Sequence, residues 1–318
     1  MGFFDFLTED IAIDLGTANT LIIHKDKVVV DSPSIVAIDR STNKVIAIGH
    51  EASMMQGKTH ENIKTIRPLK DGVIADFNAS EQMISMLIKS VPTLKNKVVT
   101  PALKMVICIP SGITEVEMRA VRESAERVNG KEVYLIHEPM AAAIGLGIDI
   151  KQPKGNMIVD IGGGTTEVAV LSLGGTVLSE SVRIAGDELN ESIAIYLKKV
   201  HNLVVGERTA EDIKIKIGSA FPDDDFDKTS LEVRGLHLLS GLPRSVTLTS
   251  GEIREAMADP LSKIVEAVKR TLERTPPELA ADIVDRGIML AGGGALVRGI
   301  NDLLSDETGI FTHIAENP

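Results

Sequence analysis

The chain has 318 residues, a hydrophobic content of 43% and a formal net charge of −11, which suits two soluble domains with ordinary cores. The acidic balance argues against a general nucleic-acid-binding protein, because such proteins need a basic face to displace counterions from phosphate. No apolar stretch approaches the roughly 20 residues that span a bilayer. The one cysteine, Cys108, stands in the apolar run Met105–Ile109, which predicts a buried strand thiol in a reducing cytoplasm.

The N-terminus, MGFFDFL, places three of the seven phenylalanines within the first six residues. It is too short for a signal peptide and lacks the basic residues of one. The segment either packs on the core or forms a tip that touches a membrane. The residues that would enter the membrane are Phe3, Phe4, Phe6 and Leu7. Nearby acidic residues weaken this second interpretation, because they repel anionic lipid.

The stretch Ile11–Ile23, IAIDLGTANTLII, predicts two strands joined by a tight turn, with Asp14 at the mouth of the turn. Short strands are then expected at Val28–Val30, Ser34–Ile38 and Val45–Ile48, separated by Asp31–Pro33 and by polar residues. Apolar spacing next predicts a helix over Ser80–Ser90.

A strand, helix, strand order typical of a layered α/β domain follows. The strands are Lys104–Ile109 and Glu132–Ile136, and the helix begins after a capping box formed by Thr114 and Glu117. Pro139–Gly145 then predicts a slim helix, because Pro139 suits a first turn and the alanines keep the profile narrow.

Glu138, just before that helix, has two interpretations. Its carboxylate either complements the helix dipole or takes part in chemistry. His137, after an apolar strand, is expected to be a packed or rim histidine rather than a base.

The stretch Asn156–Leu173, NMIVDIGGGTTEVAVLSL, repeats the design of the first hairpin. Asp14 aligns with Asp160, Gly16 with Gly162 and Thr20 with Thr166, at a constant spacing of 146 positions (160 minus 14). A repeat of this size predicts two related domains, each with one hairpin, and a nucleotide held between them.

The chemistry of these loops favours phosphate binding. Gly162, Gly163 and Gly164 are expected to use positive φ, so that successive amides converge on an anion. Asp160 is suited to a hydrated Mg²⁺ that bridges the phosphates. Any one such loop could be a plain hairpin turn, but the repetition favours phosphate. The glycine patterns of the P-loop and of the dinucleotide fingerprint are both missing from the sequence.

Further helices are predicted downstream. One is capped by Asp187 and runs to about Val200, and another opens at Thr209 with Asp212 completing a variant capping box. The acidic stretch Phe221–Asp227 indicates an exposed loop rather than a calcium site, because its aspartates do not alternate. A long amphipathic stretch, Glu252–Arg274, is expected to be interrupted at Pro260. The third glycine run, Gly292–Gly294, follows a short apolar strand.

Taken together, these motifs resemble the actin, sugar-kinase and heat-shock-ATPase superfamily, and within it the MreB family of bacterial actin homologues. IAIDLGTANTLI and IVDIGGGTTEVAV resemble the two phosphate motifs, and LAGGGALVRGI resembles the adenosine motif. RPLKDGVIADF, AGDELN and TPPELAADIVDRGI are similar to stretches typical of MreB proteins.

The resemblance implies an α/β actin-like ATPase fold, in which two related domains, each with a smaller inserted subdomain, hold a nucleotide in the cleft between them. The expected bounds are 1–150 for domain I with an insertion at about 31–70, and 151–318 for domain II with an insertion at about 186–247. The family usually continues through a further apolar helix that closes domain I, and this helix is expected to be absent from the sequence ending at Pro318.

The resemblance also implies residue roles. Catalytic roles fall to Glu138, which would orient the attacking water, with Asp160 and Thr165. Asp14 and Asp160 would hold Mg²⁺ through water. The nucleotide-binding residues would be Thr17, Ala18, Asn19, Gly162, Gly163, Gly164, Glu211, Asp212, Ile213, Lys214, Gly292, Gly293, Gly294 and Ala295. Among these, Glu211 would bind the ribose and Lys214 would line the adenine pocket.

The implied function is a filament-forming protein that binds ATP, with GTP as the alternative nucleotide, hydrolyses it slowly, and scaffolds cell-wall elongation to maintain rod shape. It would lie in the cytoplasm at the inner face of the plasma membrane. Its partners would be further copies of itself in protofilament pairs, the membrane surface, and the elongation proteins MreC, MreD and RodZ. The alternatives are a monomeric ATPase of the same fold, such as a chaperone, and a small-molecule kinase.

Overall fold

The computed structural model describes residues 8–92 and 102–318, so the expected membrane tip at Phe3, Phe4, Phe6 and Leu7 lies outside the described residues. The chain divides into two compact units, up to Ala141 and from Ala142 onward. Within the described ranges, no helix combines the length and apolarity needed to cross a bilayer.

The first unit is built on a mixed sheet. Its strands are β1 (Thr8–Leu15), β2 (Asn19–His24), β3 (Lys27–Pro33), β4 (Val36–Asp39), β5 (Lys44–Ile48), β6 (Ile63–Ile66), β7 (Leu69–Lys70), β8 (Val73–Ile74), β9 (Ala102–Ile109) and β10 (Gly130–His137). Its helices are α1 (Gly49–Met55), α2 (Phe77–Ser90), α3 (Glu115–Arg127) and α4 (Glu138–Gly145), the last of which crosses the boundary.

The main sheet of the first unit has the order β10-β9-β1-β2-β3. β1, β2 and β3 form an antiparallel meander, whereas β1, β9 and β10 are parallel. A separate three-stranded sheet, β5-β4-β6, forms from the segment after β3. The helix expected from the apolar spacing over Ser80–Ser90 is present as α2, and the side chains that set that spacing, Met83, Ile84, Leu87 and Ile88, are all buried in the core.

The second unit repeats this plan. Its strands are β11 (Asn156–Ile161), β12 (Thr166–Ser172), β13 (Gly175–Val182), β14 (Leu203–Val204), β15 (Ser230–His237), β16 (Pro243–Thr249), β17 (Ile288–Ala291) and β18 (Thr312–Ile314). Its helices are α5 (Gly186–Val200), α6 (Glu207–Ile217), α7 (Ser250–Arg274), α8 (Pro277–Arg286) and α9 (Ile300–Thr308).

The main sheet of the second unit has the order β13-β12-β11-β17-β18. Its first three strands are again an antiparallel meander, and β11, β17 and β18 are again parallel. Strand β12 is buried along its whole length, as expected for a strand covered on both faces. The two sheets therefore have the same strand order and direction, which agrees with the repeat in the sequence.

Four local predictions are wrong. β3 continues through Asp31–Pro33, which pair with β2 instead of separating strands. Asp187 does not cap α5, whose first residue is Gly186. α6 begins at Glu207 after Gly206, so that Thr209 lies inside the first turn and cannot be its cap.

The fourth concerns Pro260, which does not interrupt the amphipathic stretch. α7 runs unbroken for 25 residues, with Pro260 buried inside it. A proline costs an interior helix one backbone hydrogen bond. The buried side chains that follow on α7, including Leu261, Ile264 and Val268, belong to the same core, and their packing holds the helix together across the proline.

Candidate functional site

The second glycine hairpin is closed by its own backbone. Ile161 and Thr166 form the last pair of the β11–β12 ladder, and the Gly162 N–H donates to the Thr165 carbonyl at 2.9 Å. The prediction that the three glycines use positive φ is wrong, because none of them lies in that region. Gly162 matters for space instead, since a Cβ there would lie 3.3 Å from the Thr165 carbonyl oxygen.

The N-terminus of α5 is hydrogen-bonded to this hairpin. The Gly186 N–H donates to the Gly162 carbonyl at 3.2 Å, and the Asp187 N–H donates to the Gly163 carbonyl at 2.8 Å. The first N–H groups of a helix lack partners within the helix and are often bound by a capping side chain, but here the loop carbonyls accept their hydrogen bonds. The Glu188 carboxylate accepts a further hydrogen bond from the Ala185 N–H at 2.8 Å. A helix N-terminus and its dipole therefore lie beside the hairpin, an arrangement that favours an anion.

Lys214 of α6 reaches the same place. Its Nζ donates to the Gly186 carbonyl at 3.0 Å. A Cβ on Gly186 would lie 3.2 Å from that Nζ and 3.6 Å from the Gly163 Cα, so a larger residue at this position would require the lysine side chain to shift. The structure thus brings a lysine, a helix N-terminus and the glycine hairpin together.

The third glycine run lies against Asp160. β17 is parallel to β11, so the turn after β17 emerges at the same edge of the sheet as the hairpin. Gly292 has a φ of +81°, and a Cβ there would lie 2.3 Å from the Asp160 Oδ1 and 2.4 Å from the Ile161 carbonyl oxygen. A Cβ on Gly294 would overlap the Ile161 side chain, at 2.3 Å from its Cγ2. The turn Gly292–Ala295 therefore needs glycine at positions 292 and 294 in order to pack against Asp160 and Ile161.

Glu167 is a candidate residue that the sequence reasoning missed. It pairs with Asp160 across the β11–β12 ladder and is completely buried. The Ser181 hydroxyl donates to its Oε1 at 2.5 Å. Burying a carboxylate costs free energy unless the group is hydrogen-bonded or paired with a charge. The signal in the sequence that could have identified Glu167 is an acidic residue immediately before the apolar run Val168–Leu171.

The four residues predicted on α6 face different directions. Lys214 reaches Gly186, and Glu211, one turn earlier, lies on the same side of the helix. Ile213 is buried in the core of the second unit. Asp212 is exposed and lines a surface cavity of about 380 Å³ between α6 and β15. The structure therefore groups Glu211 with Lys214 and separates both from Asp212 and Ile213.

The first hairpin carries Asp14 at the end of β1. Asp14 is opposite Leu21 on β2 and Cys108 on β9. Burial raises the pKa of its carboxyl group above the usual value of 3.8, as expected for an acid removed from water. A Cβ on Gly16 would lie 2.6 Å from the Asn19 carbonyl oxygen, so the turn that follows Asp14 is tight.

Buried hydroxyl groups support this turn. The hydroxyls of Thr20 and Ser34 lie 2.9 Å apart, and the Ser34 hydroxyl donates to the Gly16 carbonyl at 2.6 Å. The Ser34 N–H donates to the Ala18 carbonyl at 2.8 Å. Asn19 is exposed at the start of β2.

A second support comes from the stretch Arg67–Phe77. The Gly72 N–H donates to the Thr17 hydroxyl at 3.0 Å, and the Arg67 Nη1 lies 3.5 Å from the Thr17 carbonyl. Asp71 and Gly72 both have positive φ in the β7–β8 hairpin, the signature of a type I′ turn. The Asp71–Gly72 pair is the signal in the sequence from which this hairpin turn could have been predicted.

Glu138 emerges at the same sheet edge as the first hairpin. β1, β9 and β10 are parallel, so their carboxyl ends coincide. Glu138 is partly buried at the first position of α4, and His137 is exposed at the end of β10. The first unit thus collects Asp14, the Gly16–Ala18 turn and Glu138 along one edge.

The carboxylates of the two hairpins suit a largely hydrated Mg²⁺ better than a metal ion whose ligands are all protein side chains. Among residues 8–92 and 102–318 there is no group of three or more His, Cys, Asp or Glu side chains able to hold a metal ion. Each hairpin offers one carboxylate, Asp14 or Asp160, at its mouth. Mg²⁺ commonly takes one or two carboxylates and fills its other positions with water and phosphate oxygens.

Comparison with known proteins identifies the family. Residues 8–318 match the family described as MreB/Mbl protein. The chain is 51% identical to the cell shape-determining protein Mbl of Bacillus subtilis, over 97% of this chain and 92% of Mbl. It is 52% identical to MreB of Escherichia coli, over 98% of this chain and 90% of that protein.

A solved structure agrees. The crystal structure of MreB 5 of Spiroplasma citri bound to AMPPNP superimposes with a TM-score of 0.90 at 38% identity, covering 97% of this chain and 91% of that one. The predicted actin-like fold is confirmed. The chain therefore belongs to the MreB/Mbl family of bacterial actin homologues.

Proposed function

We propose that this chain binds ATP with Mg²⁺, hydrolyses it slowly and assembles into nucleotide-dependent filaments that determine cell shape. The observation that carries the proposal is the convergence at one sheet edge of the second unit. There the glycine hairpin, the N-terminus of α5, Lys214 and the Gly292–Ala295 turn meet. The AMPPNP bound by the Spiroplasma relative supports a nucleotide as the ligand.

The phosphate half of the site would be formed by backbone amides. We propose that residues 162–165 and 17–19 donate to phosphate oxygens, assisted by the dipole of α5. Asp14 and Asp160 would hold Mg²⁺ through its water ligands, and the ion would neutralise phosphate charge.

The nucleoside half would be formed by α6 and the third glycine run. Glu211 is proposed to accept from the ribose hydroxyls, while Lys214 and the turn Gly292–Ala295 contact the base. We propose ATP as the nucleotide, with GTP as the alternative that the sedimentation experiment described below examines.

We propose that Glu138 orients the water that attacks the γ-phosphate, with Thr165 assisting through its hydroxyl group. Positioning of this kind is the main requirement of phosphoryl transfer to water. The partial burial of Glu138 at the head of α4 is consistent with a side chain held in place.

We also propose that the filaments lie at the inner face of the plasma membrane and scaffold cell-wall elongation together with MreC, MreD and RodZ. Phe3, Phe4, Phe6 and Leu7 would make the membrane contact. One copy of so short a segment binds weakly, whereas a filament that carries many copies binds by avidity.

Sedimentation tests the proposal. The purified chain is centrifuged with ATP and Mg²⁺, with GTP and Mg²⁺, and without nucleotide. Regular filaments in the pellet only with nucleotide are the expected result. A chain that binds ATP but remains in the supernatant at every concentration, with and without liposomes, would favour a monomeric ATPase.

A variant tests the role of Glu138. Glu138→Ala should lower ATP hydrolysis by about 10²- to 10⁴-fold and leave ATP affinity within about threefold. Glu126→Ala, an exposed acid on α3, is the matched control and should change neither quantity. An equal loss of affinity and turnover in Glu138→Ala would contradict the positioning role.

A further inference from the structure

Asp223 and Arg298 join the two segments of the second unit that the proposed function assigns to the nucleoside. Arg298 follows the turn Gly292–Ala295 by three residues, and Asp223 follows α6 in the acidic loop Phe221–Asp227. The Arg298 Nη2 lies 3.0 Å from the Asp223 Oδ2. We call this pair the Asp223–Arg298 latch.

Hydrogen bonds within the acidic loop hold Asp223 and Phe226 where both contact Arg298. The Asp223 Oδ1 accepts from the N–H of Phe226 at 3.0 Å and from that of Asp225 at 3.2 Å. The Arg298 guanidinium carbon lies 4.2 Å from the centroid of the Phe226 ring, within the range of a cation–π contact. The hydrogen bond from Phe226, and then Arg298, lowers the pKa of Asp223 below its usual 3.8, so the pair is charged at neutral pH.

Backbone contacts join the same two segments. Ser219 forms a bridge with Arg298, and the Ala220 N–H donates to the Arg298 carbonyl at 2.7 Å. Gly299 has a φ of +73°, and a Cβ there would lie 2.8 Å from the Phe221 Cβ. The chain leaving α6 and the chain leaving the glycine turn are therefore in direct contact.

Very little chain separates the latch from the residues it would position. α6 ends at Ile217, and the N–H of its C-cap residue, Gly218, donates to the Lys214 carbonyl at 2.9 Å. A Cβ on Gly218 would lie 2.3 Å from that carbonyl oxygen, so the exit from the helix is tightly fixed. Asp223 follows five residues later. A shift of Arg298 relative to Asp223 would thus move α6 relative to the glycine turn.

We propose that Asp223 and Arg298 are positioning residues that set the spacing between α6 and the turn Gly292–Ala295, and through it the fit of the nucleoside half of a bound nucleotide. The inference rests on the proposed function. It assigns the latch no contact with phosphate.

The expected effect is moderate, because the side chains of Arg298 and Asp223 are 54% and 39% exposed and solvent weakens exposed ion pairs. Removing either charge should weaken ADP binding by about three- to tenfold. The affinity for ATP should fall by the same factor, because ADP and ATP carry the same nucleoside. The ratio of ADP to GDP affinity should also move toward one, since a looser site discriminates less between bases.

The experiment uses the full chain with Asp223→Asn, Arg298→Gln and the double variant. Lys263→Met is the matched control, because it removes an exposed ion pair with Asp259 within α7. Calorimetry gives the dissociation constants for ADP, ATP and GDP, and thermal melting is recorded without nucleotide. If Arg298→Gln does not fold, Asp223→Asn still carries the measurement.

Three results together support the latch. ADP and ATP weaken by the same factor, the double variant binds no more weakly than either single variant, and the nucleotide-free melting temperature stays within about 3 °C of the unaltered chain. Unchanged ADP affinity in Asp223→Asn, an equal loss in Lys263→Met, or a loss confined to ATP would overturn it. Failure of the unaltered chain to bind ADP would instead overturn the proposed function, and the latch with it.

Discussion

Gly292 is a position where one added methyl group should destabilise the fold. Its φ of +81° and ψ of 159° fall in a region almost restricted to glycine, which costs another residue about 1–3 kcal/mol. A Cβ would also lie 2.3 Å from the Asp160 Oδ1 and 2.4 Å from the Ile161 carbonyl oxygen. The backbone atom cannot move without disturbing β11, and such overlap adds about 1–3 kcal/mol. Gly292→Ala should therefore lower the free energy of unfolding by about 2–6 kcal/mol, the sum of the two contributions.

Urea unfolding followed by circular dichroism measures this loss. Gly293→Ala is the matched control, because a Cβ on Gly293 meets no atom within 4 Å and its φ is not in the positive region. The control should stay within about 0.5 kcal/mol of the unaltered chain. Gly292→Ala should also bind ATP more weakly in the presence of Mg²⁺, since Asp160 must move. Equal midpoints for the two variants would refute the close contact between the third glycine run and Asp160.

Three further predictions concern stability. Thr20→Val should cost about 1–2 kcal/mol in urea unfolding, because it removes a partner of the buried Ser34 hydroxyl; Thr20→Ser, which keeps that partner, should recover most of it. Leu173 is 70% exposed with a φ of +52°, so Leu173→Asn should raise stability by about 0.5–1.5 kcal/mol, and a lower melting temperature would contradict this. The hydrogen bond from Arg254 lowers the pKa of Asp227 in the folded state below its usual value of 3.8. The ion pair therefore stabilises the fold above pH 3.8, and this contribution is lost as the pH falls through the pKa of Asp227 in the folded state. Acid titration of Asp227→Asn should accordingly show a shallower loss of stability below about pH 4, and an unchanged slope would argue against the ion pair.

The repeated hairpins could be predicted from sequence because their signal is local and occurs twice. Asp14 and Asp160 each end an apolar strand before a glycine turn, and the turn and strand pattern fixes their place in each sheet. The helix beginning after Thr114 was also predictable, because its capping box needs only residues within one turn. Structure that depends only on contacts between residues close in sequence can be predicted from the sequence.

What failed depended on contacts between distant residues. Asp187 looked like a cap, but its amide donates to the Gly163 carbonyl, a partner that only the folded hairpin supplies. Glu167 was not singled out from the sequence, because its partner, the Ser181 hydroxyl, belongs to a different strand, β13. Thr209 formed a plausible capping pattern, yet the helix begins two residues earlier, at Glu207. For Asp187 and Thr209, tertiary structure overrode a valid local preference.

The place of Cys108 in the first sheet has a practical consequence. It is the only cysteine in the chain, and it lies directly across the ladder from Asp14. The prediction of a buried thiol is wrong, because Cys108 is partly exposed. Paired residues on adjacent strands project to the same side of a sheet, so a thiol-reactive dye would attach at one site, next to the first hairpin. The chain thus already carries a single labelling position for fluorescence or alkylation-rate measurements, and no cysteine has to be added or removed.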